Sequence, residues 1–405
     1  MDAYQSYIHA SRYARWLEDK ERRETWDETV DRWWNYMTGK FPVLSNRQDV
    51  KAAIYDLEVV PSMRTIMTAG EALDRNHVAA YNCSFLAVDD PKSFDEALLV
   101  LMCGTGVGFS VEHQFVSKLP EVPADIHPTD EVIEVGDSKE GWAKALRQII
   151  SRLYAGEIPS WDVSKVRPSG ARLKTFGGRA SGAEPLENLF KFTIGIFKKA
   201  AGRKLTSLEC HDLMCQVAAA VVVGGVRRSA MISLSDLNDD RMRHAKMGNW
   251  WNEQVNRSYA NNSISFTERP DMGSFLREWS AIYESKSGER GIFNREAAKA
   301  KAAAIGREVR DDFGTNPCGE ISLRSKQFCN LSEVIIRETD GTEDLKRKVE
   351  IATIIGTIQS ALVDFKYLSP KWKKNSEEER LLGVSLTGIF DHKIMGGQGE
   401  YEQSV

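Results

Sequence analysis

The chain has 405 residues, enough for two average domains or one large α/β barrel. Hydrophobic residues make up 42% and charged residues 28%, the balance of an ordinary globular protein. With 54 Lys+Arg against 58 Asp+Glu the formal net charge is -4, which argues against a chain built mainly to hold nucleic acid, and no apolar run reaches the roughly eighteen residues of a membrane span.

The first residues, MDAYQSYIHASRYARWLEDKERR, have no signal-peptide layout, so the cytoplasm is the expected location. Residues 1–60 predict helices. Trp16, Trp26, Trp33 and Trp34 fall among charged residues at amphipathic spacing, with aromatic edges suited to docking on something larger. In VVPSMRTIMTAGEAL (59–73), Pro61, Ser62 and Gly70 mark a loop that feeds a helix. AYNCSFLAV then predicts a short strand holding Cys83, SFDEALLVLMC a helix, GTGVG (104–108) a turn and FSVEH a strand. Residues 118–138, rich in Pro and acid, predict a surface connection.

A helix follows from Lys139, then a strand at WDVSKVRP and a long basic, glycine-rich loop, SGARLKTFGGRASG. Helices are predicted near 186–200 and 206–222, then a turn and buried strand in VVVGGVRRSAMISL, a strand at ANNSISF and a helix at MGSFLREWSAIYES. GTNPCGEISL and QFCNLSEVII are strand candidates, and a helix near 343–364 and a strand at LLGVSLTGI complete the readable part. Repeated alternation of strands and helices is the pattern of parallel β/α architecture, whose chemistry sits on loops at the carboxyl ends of strands. No linker divides the chain in two.

Six cysteines, at 83, 103, 210, 215, 318 and 329, form neither a C-x-x-C pair nor a disulfide framework. Cys210, His211 and Cys215 invite a zinc reading, but on a helix positions five apart diverge and no second ligand pair follows, so no metal site is expected. GTGVG lacks the full dinucleotide pattern and does not open a helix, so its glycines suit close approach of backbone to a ligand or a neighbouring strand. FGGRASG (176–182) and GGVRRSA (224–230) join glycine turns to Arg179, Arg227 and Arg228, a combination that suits phosphates; solvated turns are the alternative. Asn316-Pro317-Cys318-Gly319-Glu320 is the sharpest feature. Alternation on an extended segment or tight loop lets Asn316, Cys318 and Glu320 share a face, and amide, thiol and carboxylate together suit a small polyhydroxylated molecule that must be held, deprotonated and attacked by sulfur. A turn with a buried cysteine is the alternative.

These residues resemble the ribonucleotide reductases, and among them the monomeric, adenosylcobalamin-dependent (class II) ribonucleoside-triphosphate reductases. NPCGEISL resembles the finger loop bearing the radical cysteine, QFCNLSEV and AYNCSF the strands bearing a redox cysteine pair, and VPSMRTIMTAG the substrate-phosphate and ribose segment. TGVGFSV, RPSGARLKTFGGRASG, VVGGVRRSA, ANNS, GERGIFN and GVSLTGI follow in matching order, and YARWL…ETWDETV points to the cobalamin class, so the likeness runs from about residue 13 to 392.

The resemblance implies a ten-stranded α/β barrel of the ribonucleotide reductase/glycyl-radical type, incomplete at its C-terminus. Residues 1–60 would be a helical segment and residues 61–405 the partial barrel, with the finger loop near 314–322. It implies that Cys318 becomes a thiyl radical, Glu320 takes the ribose 3′-hydroxyl proton and Asn316 orients the hydroxyls, while Cys83 and Cys329 give two electrons by forming a disulfide. Ser62, Asn82, Gly106, Pro317 and Gly319 would line the substrate. Gly177, Gly178 and Arg179, with Gly225, Arg227, Arg228 and Ser229, would form the loops that report effector. Adenosylcobalamin is the implied cofactor; a ribonucleotide, a deoxynucleotide effector and a thioredoxin-type reductant are the implied partners, with neither nucleic acid nor membrane.

Two departures stand out. The chain stops soon after GVSLTGIFDH, without the family's glycine-serine phosphate loop or C-terminal cysteine pair, which implies an interrupted or split gene and a separately encoded second half as partner. The connection at 118–138 is shorter than the monomeric members' insertion, which imitates a dimer interface and holds effector. A catalytically inactive nucleotide-binding fragment and a class I catalytic subunit are the competing readings.

Overall fold

The computed structural model describes residues 1–173, 179–222 and 230–397. They divide into two compact units, one built from Met1–Asn82 together with the chain from Phe328 onward, the other from Cys83–Gln327.

The first unit opens with α1 (Ala3–Arg12), α2 (Trp26–Lys40) and α3 (Gln48–Tyr55). A reciprocal cap starts α2: the Glu28 N–H donates to Thr25 Oγ1 at 3.3 Å and the Thr25 N–H donates to the Glu28 carboxylate at 2.9 Å. Trp33 and Trp34 are buried within this unit, and the Trp33 indole N–H donates to Thr65 Oγ1 at 3.3 Å, whereas Trp16 stays exposed. Trp26 is half-buried, its indole N–H donating to the Tyr55 carbonyl at 2.9 Å, so three of the four tryptophans dock inside the unit. β1 (Val59–Pro61), α4 (Met63–Thr68) and α5 (Glu71–Arg75) follow.

In the second unit β2 (Cys83–Ala87), α6 (Lys92–Met102) and β3 (Gly106–Ser110) form a strand–helix–strand turn, with Cys83 opposite Gly106. Every residue of β2 and β3 is buried, as a parallel sheet covered on both faces requires. Next come β4 (His127–Glu134), α7 (Lys139–Tyr154), β5 (Glu157–Asp162), α8 (Glu184–Lys199) and α9 (Ser207–Val222). β6 (Met231–Asp236), β7 (Ala260–Phe266), α10 (Met272–Ser285), β8 (Gly291–Asn294) and α11 (Arg295–Ala304) continue the alternation. Within the unit the order β8-β7-β6-β3-β2 is parallel throughout. The unit ends with two short antiparallel arms, β9 (Gly314–Thr315) and β10 (Ser322–Leu323), which frame the cysteine loop.

The chain returns to the first unit through β11 (Gln327–Ile335), α12 (Thr342–Gln359), α13 (Pro370–Glu379) and β12 (Leu382–Thr387). β11 runs antiparallel to β1, with Ser332 opposite Pro61, and parallel to β12, with Asn330 opposite Leu382. Phe328 stacks on Trp372 at 4.5 Å between ring centroids and meets Tyr81 at 5.2 Å, so aromatic burial worth about 1.5–3 kcal/mol per side chain ties β11 to this unit.

Two expectations are corrected, and two helices were not foreseen. The 118–138 connection contains β4, which pairs in parallel with β5 despite its exposed acidic residues. The strand placed at WDVSKVRP lies earlier, at Glu157–Asp162, because the chain then turns, the Val166 N–H donating to the Val163 carbonyl at 2.9 Å. α11 and α13 escaped the sequence reading: α11 is alanine-rich, and α13 is dominated by charge with Pro at its first turn.

Candidate active site

The segment Asn316–Glu320 is a turn, not an extended run. The Gly319 N–H donates to the Asn316 carbonyl at 3.0 Å and Gly319 adopts φ +85, a conformation suited to glycine. The turn separates what strict alternation would put on one face: Asn316 is buried, whereas Cys318 and Glu320 are exposed. Asn316 is fixed at both ends of its carboxamide. Its Oδ1 accepts from the Ile321 N–H at 3.1 Å, and its Nδ2 donates to Cys83 Sγ at 3.2 Å. The loop and the β2 cysteine therefore touch, although 233 positions separate them in sequence.

The glycines of GTGVG let this happen. A Cβ on Gly108 would lie 1.8 Å from the Thr315 carbonyl oxygen, and one on Gly106 would meet the Pro317 ring at 3.0 Å. Gly314 faces Phe85 so closely that its own Cβ would come within 2.1 Å of the ring. The close-approach reading of the motif holds, with the cysteine hairpin as the neighbour. Beside Cys318, by contrast, the space a Gly319 side chain would enter is open.

Ser62, Asn82 and Cys329 lie in the first unit. Ser62 Oγ donates to Asn82 Oδ1, and the Ser62 N–H donates to Gln359 Oε1 at 3.1 Å. Gln359 also donates to Asn330 Oδ1 at 2.9 Å, so a buried amide from the end of α12 holds the Ser62 turn against β11. Cys329 is buried on β11 and points its sulfur toward the Asn330 carbonyl at 3.3 Å. Gln359 was missed in the sequence because nothing in a helical pattern distinguishes a glutamine that faces inward.

Of the loop residues expected to report effector, Arg179 alone is described: its Nη1 donates to the Gly170 carbonyl at 2.9 Å, closing a small antiparallel turn with Arg172 opposite it. Gly177, Gly178, Gly225, Arg227, Arg228 and Ser229 lie outside the described residues.

His211, the imidazole of the rejected zinc grouping, is fully buried with both ring nitrogens engaged. Nδ1 lies 3.1 Å from Asp212 Oδ1 and Nε2 lies 2.9 Å from Asn262 Oδ1, with Cys215 Sγ 3.7 Å from Nε2. Burial opposes charge on this ring, but Cys215 and Asp212 outweigh it and raise its pKa to about 10. Arg257 completes the cluster with an ion pair to Asp212 at 2.6 Å.

Residues 118–194 match the family model described as B12-dependent ribonucleotide reductase, insertion domain. An adenosylcobalamin-dependent ribonucleoside-triphosphate reductase of Lacticaseibacillus paracasei is 29% identical across 94% of this chain and 60% of its own length. A protein of the same name from Lactobacillus leichmannii is 28% identical with the same coverage. A crystal structure of B-12 dependent (class II) ribonucleotide reductase matches at a TM-score of 0.78 and 24% identity, covering 95% of this chain and 62% of that one. The alpha subunit of a class Id ribonucleotide reductase from Actinobacillus ureae reaches 0.52 at 11% identity, over 97% and 61% of the two chains.

The α/β fold is therefore that of the ribonucleotide reductases, as the motifs implied. The chain is similar in sequence to the adenosylcobalamin-dependent reductases named above, and the structural likeness to the class I alpha subunit is weaker. It spans about three fifths of the length of the curated relatives it matches, 60% in the Lacticaseibacillus paracasei case. One expectation changes: the insertion match runs over 118–194, through β4, α7 and β5 into α8, and not over the short 118–138 connection alone. No helix among the described residues is long and apolar enough to cross a membrane.

Proposed function

We propose that this chain carries the radical centre of an adenosylcobalamin-dependent reductase that converts ribonucleotides, as triphosphates, to 2′-deoxyribonucleotides. One observation carries the reading: an exposed Cys318 at the tip of a hairpin whose Asn316 is hydrogen-bonded to Cys83. The motifs and the names of the relatives support it.

In this reading residues 61–405 hold the chemistry and residues 1–60 form a helical segment beside it. Adenosylcobalamin, when bound, supplies a radical by homolysis of its cobalt–carbon bond. The chain's fit to it is the exposed Cys318 with open space beside Gly319, room for a large group to approach the sulfur. Cys318, as a thiyl radical, takes the 3′ hydrogen atom of the ribose. S–H and ribose C–H bonds are close in strength, so this step is reversible. Glu320 takes the 3′-hydroxyl proton as general base, and the 2′-hydroxyl leaves as water. Cys83 and Cys329 deliver two electrons and two protons, becoming a disulfide, with one proton leaving in the water and one hydrogen going to C2′; Glu320 returns its proton to O3′ and Cys318 returns the hydrogen atom to C3′. A thioredoxin-type dithiol then reduces the disulfide. Asn316 has a second amide proton beyond the one on Cys83, and it orients the ribose hydroxyls. Ser62, Asn82, Gly106, Pro317 and Gly319 line the substrate, and deoxynucleotide effectors act through the loops at 177–179 and 225–229.

Full activity in this reading needs a separately encoded C-terminal half, so the test is a reductase assay on the reassembled protein with adenosylcobalamin, a ribonucleoside triphosphate and a dithiol reductant, following deoxyribonucleotide. Product that depends on the cofactor supports the reading, and Cys83→Ser or Cys329→Ser should abolish multiple turnover, because one thiol alone cannot supply both electrons as a disulfide. Cofactor-independent product, or undiminished turnover in both variants, contradicts it.

A further inference from the structure

Glu112 and Arg295 form a deeply buried ion pair beside the cysteine hairpin. Glu112 follows β3 and Arg295 opens α11, and each is 1% exposed. The guanidinium is held bidentately, Nη1 to Oε1 at 2.8 Å and Nη2 to Oε2 at 2.6 Å. Ser110 Oγ donates to Glu112 Oε2 at 2.7 Å, and Gln114 Nε2 approaches Oε1 at 3.4 Å, so the carboxylate is anchored from its own strand. A fork fixed this way has one direction left for its Nε, and it donates to the Phe313 carbonyl at 2.7 Å. Phe313 is the residue just before β9.

The return arm is held in the same manner. Arg307 lies over the Phe313 ring at 5.2 Å and donates from Nη1 to the Ser322 carbonyl at 3.0 Å. Each arm of the hairpin is thus gripped at a carbonyl by an arginine, and the first arm, Gly314–Thr315, packs closely on Gly108 and Phe85. The chemistry proposed for the thiols gives these arginines no part.

We propose that Arg295, aimed by Glu112, is a positioning residue for the Cys318 hairpin: it sets how deeply the hairpin seats on β2 and β3, keeping Asn316 on Cys83 while Cys318 faces outward. The inference rests on the reductase reading for its catalytic meaning, since Cys318 and Cys83 must then serve one ribose. Its physical content does not depend on turnover.

The test is residue-resolved alkylation of the native chain with iodoacetamide, read by mass spectrometry. Cys318 is exposed and serves as internal reference; Cys83 lies under Asn316; Cys210 and Cys215 are buried in α9 and report global opening. Arg295→Met is expected to raise the Cys83-to-Cys318 rate ratio about tenfold with Cys210 and Cys215 unchanged. Arg295→Lys, which keeps one donor, should restore part of the protection, and Glu112→Gln should loosen it in the same direction. Where Arg295→Met unfolds, shown by all buried cysteines reacting together, the two conservative variants decide. An unchanged ratio in folded Arg295→Lys and Glu112→Gln overturns the proposal. In the reductase assay the folded variants should lower kcat about tenfold while KM moves less than about twofold, a split that general loss of folded protein with intact sites would not give in active-site-titrated enzyme. A wild type that is inactive even when reassembled with its C-terminal half would sink the reductase reading and leave the alkylation result standing; an unchanged ratio would sink the clamp alone.

Discussion

The hairpin at 313–323 and the insertion at 118–194 belong to one unit and are held in opposite ways. Around the hairpin, charge is buried: the Arg295 and Glu112 side chains are 2% and 1% exposed, and backbone presses on glycine. In the insertion, charge faces water. Lys165 and Glu134 pair at 2.5 Å with side chains 61% and 66% exposed, and Arg167 pairs with Asp137 at 2.9 Å. The first of these pairs lines an open hollow of about 550 Å³, together with Glu131 and Lys144. Breaking a buried pair leaves an uncompensated charge and costs about 3–5 kcal/mol, whereas an exposed pair contributes about 0–1 kcal/mol. The proposed radical chemistry would need a sulfur held in one place, and the buried charge and close packing lie in the region that carries Cys318.

Substitutions that trespass on the packed region should therefore act most strongly. Gly108→Ala puts a methyl group into the Thr315 carbonyl and must displace the hairpin, an overpacking cost of about 1–3 kcal/mol in the denaturant midpoint. A midpoint equal to wild type would mean that the close approach is looser than the geometry requires.

His211 sharpens the contrast with a smaller, pH-dependent effect. Its folded pKa, about 10, lies above the ordinary value of 6.5. Its charge therefore contributes stability that is complete below pH 6.5 and is lost as pH rises toward 10. Wild type should exceed His211→Gln in denaturant midpoint by more at pH 6 than at pH 9. An advantage that grows with pH would reverse the assignment of a charged imidazole. Lys165→Ala, on the insertion, should leave the midpoint where it is, and a clear fall would show that the exposed pairs there are not independent of the fold.

How much of this was legible in the sequence varied with the distance over which the cause acts. α10 was placed residue for residue, because its apolar spacing and the Asp271 cap are local; the Ser274 N–H donates to Asp271 Oδ1 at 3.0 Å. The close approach at GTGVG was also readable, since a buried strand gives up side chains at alternate positions chiefly where a neighbour must come close. β4 was lost because Pro128 and the acidic Asp130, Glu131 and Glu134 gave it the look of a loop, while its pairing with β5 comes from residues 157–162, beyond any local window. The inward turn of Asn316 followed from the conformation of Gly319, which alternation ignores. Glu112 and Arg295 carried no signal: they are 183 positions apart, and charged residues near a turn ordinarily face solvent. Asn316 and Cys318 were singled out from their own five-residue segment and Cys83 through the resemblance, and the hydrogen bond between Asn316 and Cys83 is a contact that spacing could not supply.

The central claim is that the Cys318 sulfur does the hydrogen abstraction. It is tested most directly by deoxyribonucleotide formation in Cys318→Ala, assayed beside wild type with adenosylcobalamin and a dithiol. The expected result is no product above background from a variant whose denaturant midpoint matches wild type, as an exposed side chain allows. Sustained multiple turnover by that variant would contradict the account.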